Sequence, residues 1–163
     1  MANEVTGKIA RKYFAHFVDS NFGKGEANWY RLGEDLEEYS VDLNPDTELR
    51  KNILGNTSFV HNGYEPSADG DPFYAKVGDE LFEHLQSVVD TLATDDACKT
   101  KSVEVHLWDG DESTGFVAYQ QDCYLVPTSY GGDTSGYQIP FSVNYVGEKI
   151  KGKFKVDSGF TAD

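Results

Sequence analysis

The sequence predicts a mainly β protein with one flanking α-helix, an α+β fold in which a mostly antiparallel sheet carries a single helix. Three observations lead to this class. Apolar and polar residues alternate through the last third of the chain, one stretch has helical periodicity, and the composition is globular. The 163 residues, 39 % hydrophobic, can bury a sizeable core. We expect one domain over residues 1–163, with flexible ends at about 1–12 and 157–163.

Two strands are expected near the start of the chain. Residues 13–18, YFAHFV, are too few and too aromatic to favour a helix. Further on, Tyr39, Val41 and Leu43 alternate with polar residues, which is typical of a half-buried strand. The Asn44–Pro45 pair should end that strand, because the residue before a proline avoids helical geometry and such pairs favour turns.

The next segment, about 44–75, is predicted to be a long extended loop. It has no clear periodicity and contains three prolines and three glycines. A short strand near Thr57–His61 could lie within it. Loops this long in compact domains are usually functional or mobile, so we single this segment out as a candidate functional region.

A helix is predicted over about residues 79–93, DELFEHLQSVVDTLA. Its apolar residues fall at the spacings i, i+1, i+4, i+7, i+8 and i+11, which place them on one stripe. Asp79 can cap the first turn, and Gly78 marks the break before it. A helix of about 21 Å would cover one face of a sheet. By spacing, His84 falls on its solvent side.

The last third of the chain is predicted to be β. Residues 102–108 alternate Val103, Val105 and Leu107 with polar or larger side chains, and a turn follows. A second strand is expected over 116–126, where an apolar and aromatic run leads to a proline. Two long neighbouring strands of this kind favour an antiparallel pair.

A β-hairpin is predicted from Gln138–Val146 and Lys149–Val156, joined by Gly147–Glu148. Pro140 is expected at a bend or irregular point of its strand, because proline cannot donate to the ladder. The second strand places four lysines on one face of the hairpin: Lys149, Lys151, Lys153 and Lys155.

The net charge bears on the class of partner. Fourteen basic residues against 28 acidic ones give −14. Tight nucleic-acid binding needs cations that neutralise phosphates, so specific DNA binding is disfavoured and solubility is the simplest role of the charge. A surface that must not adhere to DNA is the alternative.

Compartment and cysteine usage are consistent with an intracellular product. No apolar run reaches the roughly 18–20 residues of a membrane span, and the N-terminal residues lack the apolar core of a secretory signal. We therefore expect no membrane association. Cys98 and Cys123 are expected to be buried free thiols rather than a disulfide, although they could be neighbours across two strands.

The sequence offers no convincing catalytic, cofactor or metal site. Its four histidines, His16, His61, His84 and His106, lie outside recognised metal or catalytic spacings. Ser135 in GDTSG lacks the strand-to-helix context of a nucleophile elbow, so a turn is favoured. The acidic stretches 68–71 and 109–112 lack a twelve-residue calcium loop. Paired carboxylates for glycoside hydrolysis cannot be judged without their separation. We predict that the chain is not an enzyme and needs no cofactor.

Several stretches, in order, carry a family resemblance: the strand from Trp29 into YSVDLNPDTELRKNILG, then GYEPSADGDPFYA, DACKTKSVEVHLWD and YLVPTSYGGDTSGYQIPFSVNYVGEKIKGKFKV. Together they span roughly residues 29–156. In this set the sequence resembles the major tail tube proteins of long-tailed bacteriophages (siphophages) of Gram-positive bacteria and their prophage relatives.

The resemblance implies a structural role. Such proteins have an antiparallel β-sandwich or barrel-like core with one flanking helix and a long extended loop, and they form hexameric rings that stack into the tail tube. Genomic DNA leaves through the tube without specific binding. The partners implied are further copies of the chain and other tail proteins, such as tape measure, distal tail and terminator proteins. The location implied is the virion tail, with assembly in the host cytoplasm.

On this resemblance, the long loop is the candidate contact between subunits. The candidate interface residues are Asn44, Pro45, Asp46, Thr47, Glu48, Leu49, Arg50, Lys51, Asn52 and Tyr64. The four lysines form a candidate inter-subunit hairpin that could pair with a neighbour's acidic residues, such as Glu34, Asp35, Glu37 and Glu38. The alternative is a monomeric acidic β-sandwich that uses the loop to bind a protein or carbohydrate.

Overall fold

The computed structural model describes residues 6–33, 36 and 38–163. In this part of the chain it contains twelve β-strands, one α-helix and two short 3-10 helices, Arg11–Tyr13 and Asp95–Cys98. The strands are β1 (Phe14–Asp19), β2 (Trp29–Leu32), β3 (Val41–Asp42), β4 (Pro45–Lys51), β5 (Thr57–Tyr64), β6 (Ser67–Gly70), β7 (Lys99–Asp111), β8 (Gly115–Pro127), β9 (Gly131–Asp133), β10 (Gly136–Gln138), β11 (Phe141–Lys155) and β12 (Gly159–Ala162). The helix, α1, runs Glu80–Thr91.

The main sheet has eight antiparallel strands. Its order is β2-β1-β7-β8-β11-β6-β3, and β12 pairs with the second half of β11. At one end the sheet curls: Gly159, at the start of β12, lies so close to Trp29 of β2 that an added Cβ would be 2.7 Å from the indole nitrogen. The predicted class, mainly antiparallel β with one helix and a barrel-like core, is confirmed.

The two faces of the sheet bury separate apolar clusters. On one face α1 packs through Leu81 and Leu85 against Leu125 and Val143, all fully buried. The opposite face, at the curled end, encloses a smaller cluster of Ala15, Val103, Val105, Ala118 and Phe154. Period-two alternation along β8 and β11 supplies residues to both clusters, which is why these strands were recognisable from sequence.

The helix lies within one residue of its predicted start and two of its predicted end. Asp79 is its N-cap: the carboxylate accepts hydrogen bonds from the backbone N–H of Leu81 (3.0 Å) and Phe82 (3.2 Å). The helix ends at Leu92, which adopts left-handed backbone angles, φ 52° and ψ 41°. The solvent-side placement of His84 needs correction: its ring is half-buried and stacks on Phe22, with 3.5 Å between ring centroids.

The hairpin predicted over Gln138–Val146 and Lys149–Val156 is wrong. Residues Phe141–Lys155 form the single strand β11, and both halves pair with β8. The register shifts between Val146 and Ile150, so residues 147–149 bulge opposite Gln121, whose side-chain amide donates to the Gly147 carbonyl at 3.0 Å. A bulge and a two-residue turn both use glycine at positive φ, here 73°, so the sequence signal was ambiguous.

The predicted long loop, 44–75, also needs correction. It contains the hairpin of β4 and β5, which forms a separate two-stranded sheet, and the strand β6, which joins the main sheet. The hairpin packs neither face on the core, so its sequence lacks the alternation that marks a half-buried strand. The segment is still extended, because the hairpin of β4 and β5 is almost entirely exposed.

The chain ends differ from the expected flexible ends where the structure describes them. Within 157–163, β12 pairs with β11 over Gly159–Ala162. Of residues 1–12, the first five lie outside the described residues, and Arg11 begins a 3-10 helix.

Pro140 and the glycine-rich segment before it behave as expected. Pro140 lies just before β11, and its carbonyl accepts the Thr128 N–H at 2.9 Å, which continues the pairing of β11 with β8. On the other side the pairing is irregular: Phe141 pairs with Gly70, whereas the Ile139 N–H donates to the Phe73 carbonyl at 3.0 Å. The segment GGDTSG forms the small β9–β10 hairpin, in which Asp133 accepts the Ser135 N–H at 2.8 Å. Gly132 is required there, because an added Cβ would be 2.1 Å from the Gly136 carbonyl oxygen. The turn interpretation of Ser135 is confirmed.

Candidate subunit interface

The β4–β5 hairpin, residues 45–64, projects as a two-stranded ribbon, and we call it the arm. All seven residues of β4 are exposed, and β5 is exposed except at Val60 and Gly63, which are half-buried. Seven residues of extended chain span about 24 Å. An isolated two-stranded ribbon is marginally stable in water, so the arm is the part of the fold best suited to gain stability from another surface.

One face of the arm is apolar and aromatic. Leu49 lies directly opposite Phe59, and Thr47 lies opposite His61. Leu49 is 72 % exposed and Phe59 64 %. The His61 ring contacts the Tyr64 ring edge-on, with 4.6 Å between centroids. We call Leu49, Phe59, His61 and Tyr64 the aromatic face.

The tip of the arm presents two aliphatic side chains from an ordered turn. Ile53 is fully exposed and Leu54 is 79 % exposed. The Asn52 side-chain oxygen accepts hydrogen bonds from the N–H groups of Leu54 and Asn56, each at 3.0 Å. Gly55 closes the turn at φ 81°. These hydrogen bonds order the backbone of the turn that presents the aliphatic pair.

The base of the arm is anchored to the main sheet through Asn44. Its side-chain amide donates to the Glu65 carbonyl at 3.0 Å and to the Ser67 hydroxyl at 2.9 Å. The backbone of Asn44 has φ 43°, a left-handed geometry that asparagine tolerates well. Asn44 therefore fixes where the arm leaves the domain.

The structure brings the residues singled out from sequence together on one element. Pro45–Lys51 form β4, Asn52 builds the tip turn, and Tyr64 ends β5. The interface residues named from sequence leave out those that give the arm its apolar surface: Ile53 and Leu54, which lie in the stretch 44–54 where changes were expected to block tube growth, and Phe59 and His61. The available signal was an aliphatic pair placed directly before Gly55-Asn56 in an otherwise polar segment.

Exposed apolar side chains gathered on one element make the arm a candidate contact surface. Soluble proteins rarely expose contiguous apolar patches unless they bind something. Burying one aliphatic or aromatic side chain contributes about 1.5–3 kcal/mol, so the aromatic face and the tip together could stabilise a substantial contact. The arm is our candidate interface.

The lysine row lies on β11, as part of the main sheet rather than on a hairpin. The Lys149 ammonium lies 3.2 Å from a Glu104 carboxylate oxygen of the same chain. Lys151, Lys153 and Lys155 are exposed. Among the acidic partners suggested from sequence, Glu38 is exposed, and Glu34, Asp35 and Glu37 lie outside the described residues.

A second concave region lies beside the β2 edge of the sheet. This cavity of about 600 Å³ is lined by Arg11, Lys12, Arg31 and His16, among others. Two of the cations bind backbone carbonyls: Arg11 donates to Tyr39 at 2.9 Å, and Arg31 donates to Lys12 at 3.0 Å. The lining also includes the exposed Glu38, so the described residues give this cavity three cations and one carboxylate.

His16 and Tyr39 both line this cavity, and burial shifts the pKa of each: that of His16 falls and that of Tyr39 rises. His16 is buried, and neither ring nitrogen has a hydrogen-bond partner among the described residues. Burial, followed by the positive charges of Arg11 and Lys149, lowers the pKa of His16 to about 3. The ring is therefore neutral at pH 7, and it packs edge-on against the Tyr39 ring, with 4.6 Å between centroids.

The described residues give no other chemistry-bearing cluster. No group of three or more His, Cys, Asp or Glu among them could hold a metal ion. Asp111 accepts hydrogen bonds from the backbone and hydroxyl groups of Ser113 and Thr114, which lower its pKa, so it acts as a turn residue. Both cysteines are buried free thiols, as expected. In the part of the chain that is described, no helix has the length and apolarity to cross a membrane.

Comparison with solved structures identifies the fold. No protein-family model and no curated protein matches the sequence. A subunit of the SPP1 tail tube, determined by solid-state NMR and cryo-EM, matches with a TM-score of 0.60 and 14 % identity over 91 % of this chain and 81 % of that one.

Two further matches are proteins that end a tube. The cap of the anti-feeding prophage tube has a TM-score of 0.52 and 13 % identity, over 91 % of this chain and 93 % of that one. The sheath/tube terminator of a PVC extracellular contractile injection system has a TM-score of 0.55 and 14 % identity, over 90 % and 98 %. The resemblance to tail tube proteins is thus confirmed at the level of the fold.

Proposed function

We propose that this protein is a structural subunit of a phage tail tube. In this proposal it associates with itself into hexameric rings, the rings stack into a hollow tube, and DNA is ejected through that tube. The fold shared with tail tube and tube-terminator proteins supports the proposal. The single observation that carries it is the arm, an ordered ribbon whose aromatic face and aliphatic tip are exposed.

The arm suits a contact that repeats from copy to copy. A head-to-tail contact joins two different patches, so the two ends of an open assembly each have one unoccupied patch. The assembly can therefore close into a ring or continue as a filament. An arm of about 24 Å reaches well beyond its own domain. Because its turn and base are already fixed by hydrogen bonds, binding orders few further groups.

The net charge suits a conduit for DNA. With 14 basic and 28 acidic residues, a subunit that directs part of its carboxylate excess toward the lumen would repel phosphate. DNA would then pass without specific binding. A lumen of net positive charge in the assembled tube would contradict this part of the proposal, and the exposed lysines of β11 are the residues to place first.

The proposal extends to partners and location. The subunit would meet tape measure, distal tail and terminator proteins along and at the ends of the tube. It would be assembled in the host cytoplasm and carried in the virion tail. A catalytic function has no part in this proposal.

Electron microscopy of the concentrated protein tests the proposal. The wild-type chain is compared with Ile53→Ser/Leu54→Ser, which removes the aliphatic tip, and with Val77→Ser/Val156→Ser, which removes two exposed aliphatic residues elsewhere. We expect rings or tubes from the wild type and the control. We expect the tip variant to assemble at least ~10-fold less, because two apolar anchors are lost from the contact.

The outcomes separate the two functions considered from sequence. A wild-type chain that stays monomeric at every concentration, even with tail initiation complexes added, would contradict the proposal and favour a monomeric module that binds a protein or carbohydrate. Equal assembly by the tip variant and the control would remove the tip of the arm from the interface. Melting temperatures of all three chains, which should agree, show that the substitutions spare the fold.

A further inference from the structure

A shallow apolar groove lies at the C-terminal end of α1, on the main domain. Val88 and Val89 of the helix, with Leu92 directly after it, form one wall, and the end of β8 with the residues after it, 126–130, forms the other. The cavity measures about 280 Å³. Leu92 is 80 % exposed and Tyr130 is 65 % exposed. A cavity of this size is small for a drug-like ligand and suits one or two side chains.

The surroundings of the groove are acidic. Exposed Asp90 lies on the last turn of α1, and Asp95 and Asp96 follow within six residues. The last turn carries no basic residue. The C-terminal carbonyl groups of a helix add partial negative charge there. A partner for this groove should therefore combine an apolar side chain with nearby positive charge.

The tip of the arm has that combination. Ile53 and Leu54 are the apolar side chains, and exposed Arg50 and Lys51 come directly before the turn. The Arg50 guanidinium lies 3.0 Å from a Glu48 carboxylate oxygen. This ion pair is exposed and contributes little to stability. Two adjacent cations beside an aliphatic pair are notable in a chain of net charge −14.

The groove and the tip do not meet within one chain, because Ile53 is fully exposed and Leu92 is largely so. We propose that the arm tip of one subunit binds in the groove beside α1 of the next copy, with Leu54 or Ile53 between α1 and Tyr130. The contact joins two different patches, so it repeats from copy to copy. This inference rests on the proposed function and assigns the partner surface of the arm.

Disulfide capture between two differently tagged chains tests the docking. One chain carries Leu54→Cys at the tip, and the other carries Tyr130→Cys in the groove. The control pairs Leu54→Cys with Val77→Cys, a fully exposed site before α1. The native cysteines are buried free thiols, so the wild-type pair gives the background. The mixtures are concentrated, oxidised, and scored both for linked heterodimer and for tubes by electron microscopy.

We expect at least ~10-fold more heterodimer from the tip–groove pair than from the control, because docking raises the effective concentration of the two thiols. Tubes that form without this excess would overturn the docking and leave the proposed function intact. Absence of both tubes and excess heterodimer, at every concentration, would overturn both. Because all three substituted sites are exposed, matching melting temperatures are expected, and they confirm that the chains compared are folded.

Discussion

Two antiparallel ribbons of this protein, β8–β11 and β4–β5, have the same local geometry but differ in burial. In the first, Leu125 and Val143 are fully buried beneath α1 and its neighbours. In the second, the opposed pair Leu49 and Phe59 is exposed to solvent. The first ribbon completes its packing within the chain. The second ribbon also carries apolar side chains, but no other described element of the chain packs on them. They can be buried only by another molecule.

The largest expected difference between the ribbons comes from one substitution made in each. Leu125→Ala removes fully buried atoms and leaves a cavity, so the free energy of unfolding should fall by about 2–5 kcal/mol. Leu49→Ala removes mostly exposed atoms and should change it by less than ~0.5 kcal/mol. Urea denaturation of the two variants measures both. Equal losses would mean that the arm already packs against the domain in the free subunit.

The pH dependence of the free energy of unfolding tests the buried part of the molecule, through His16. The folded chain holds the pKa of His16 near 3, whereas the unfolded chain takes up a proton near the ordinary value of 6.5. Because the unfolded chain then binds the additional proton, the free energy of unfolding should fall as the pH drops below 6.5. From pH 6.5 to 5 the fall should be about 1.6 kcal/mol.

His16→Leu should reduce that slope, since the group with the pKa lowered to about 3 is gone. A smaller slope should remain, because burial also lowers the pKa of His84 and of His106. The same substitution on the arm, His61→Leu, is the matched control and should leave the slope in place. Chemical denaturation at a series of pH values gives both results. A slope as steep in His16→Leu as in the wild type would assign the acid sensitivity to other groups.

The smallest of the three effects concerns the helix that covers the first ribbon. Asp79→Ala removes the N-cap of α1 and the acceptor of the Tyr30 hydroxyl, which lies 2.7 Å from its carboxylate. We expect a loss of about 1 kcal/mol in the free energy of unfolding. Asp96→Ala, at an exposed position after the helix, is the control. Thermal melting distinguishes them, and equal melting temperatures would show that the cap contributes nothing.

The sequence predicted best those elements that pack one face on the domain. The helix was found because its apolar stripe faces the sheet, and strands such as β7 were found because buried Val103 and Val105 alternate with residues of the other face. The bulge in β11 was mistaken for a turn because the local sequence is the same for both. What distinguishes them is that β8 is long enough to pair with both halves of β11. That length depends on pairing between distant parts of the chain, which no local pattern reports.

The candidate interface was predicted in part, for a related reason. An unpatterned segment with several prolines and glycines drew attention to Asn44 and the residues after it. The apolar residues Ile53, Leu54 and Phe59 were not named as interface residues because they follow no period set by a core of their own chain. A surface meant for another molecule carries a pattern that only the partner's surface explains.

The place of β11 in the main sheet has a consequence for synthesis. It is the eleventh of the twelve described strands in chain order, yet it holds β6, β8 and β12 in the sheet. A ribosome therefore releases the arm well before the strand that secures the base of the arm through β6. Long-range pairing of this kind forms late. We expect the arm of a nascent chain to be held in its binding position only after residue 155 has left the ribosome. Incomplete chains should therefore not join a growing assembly.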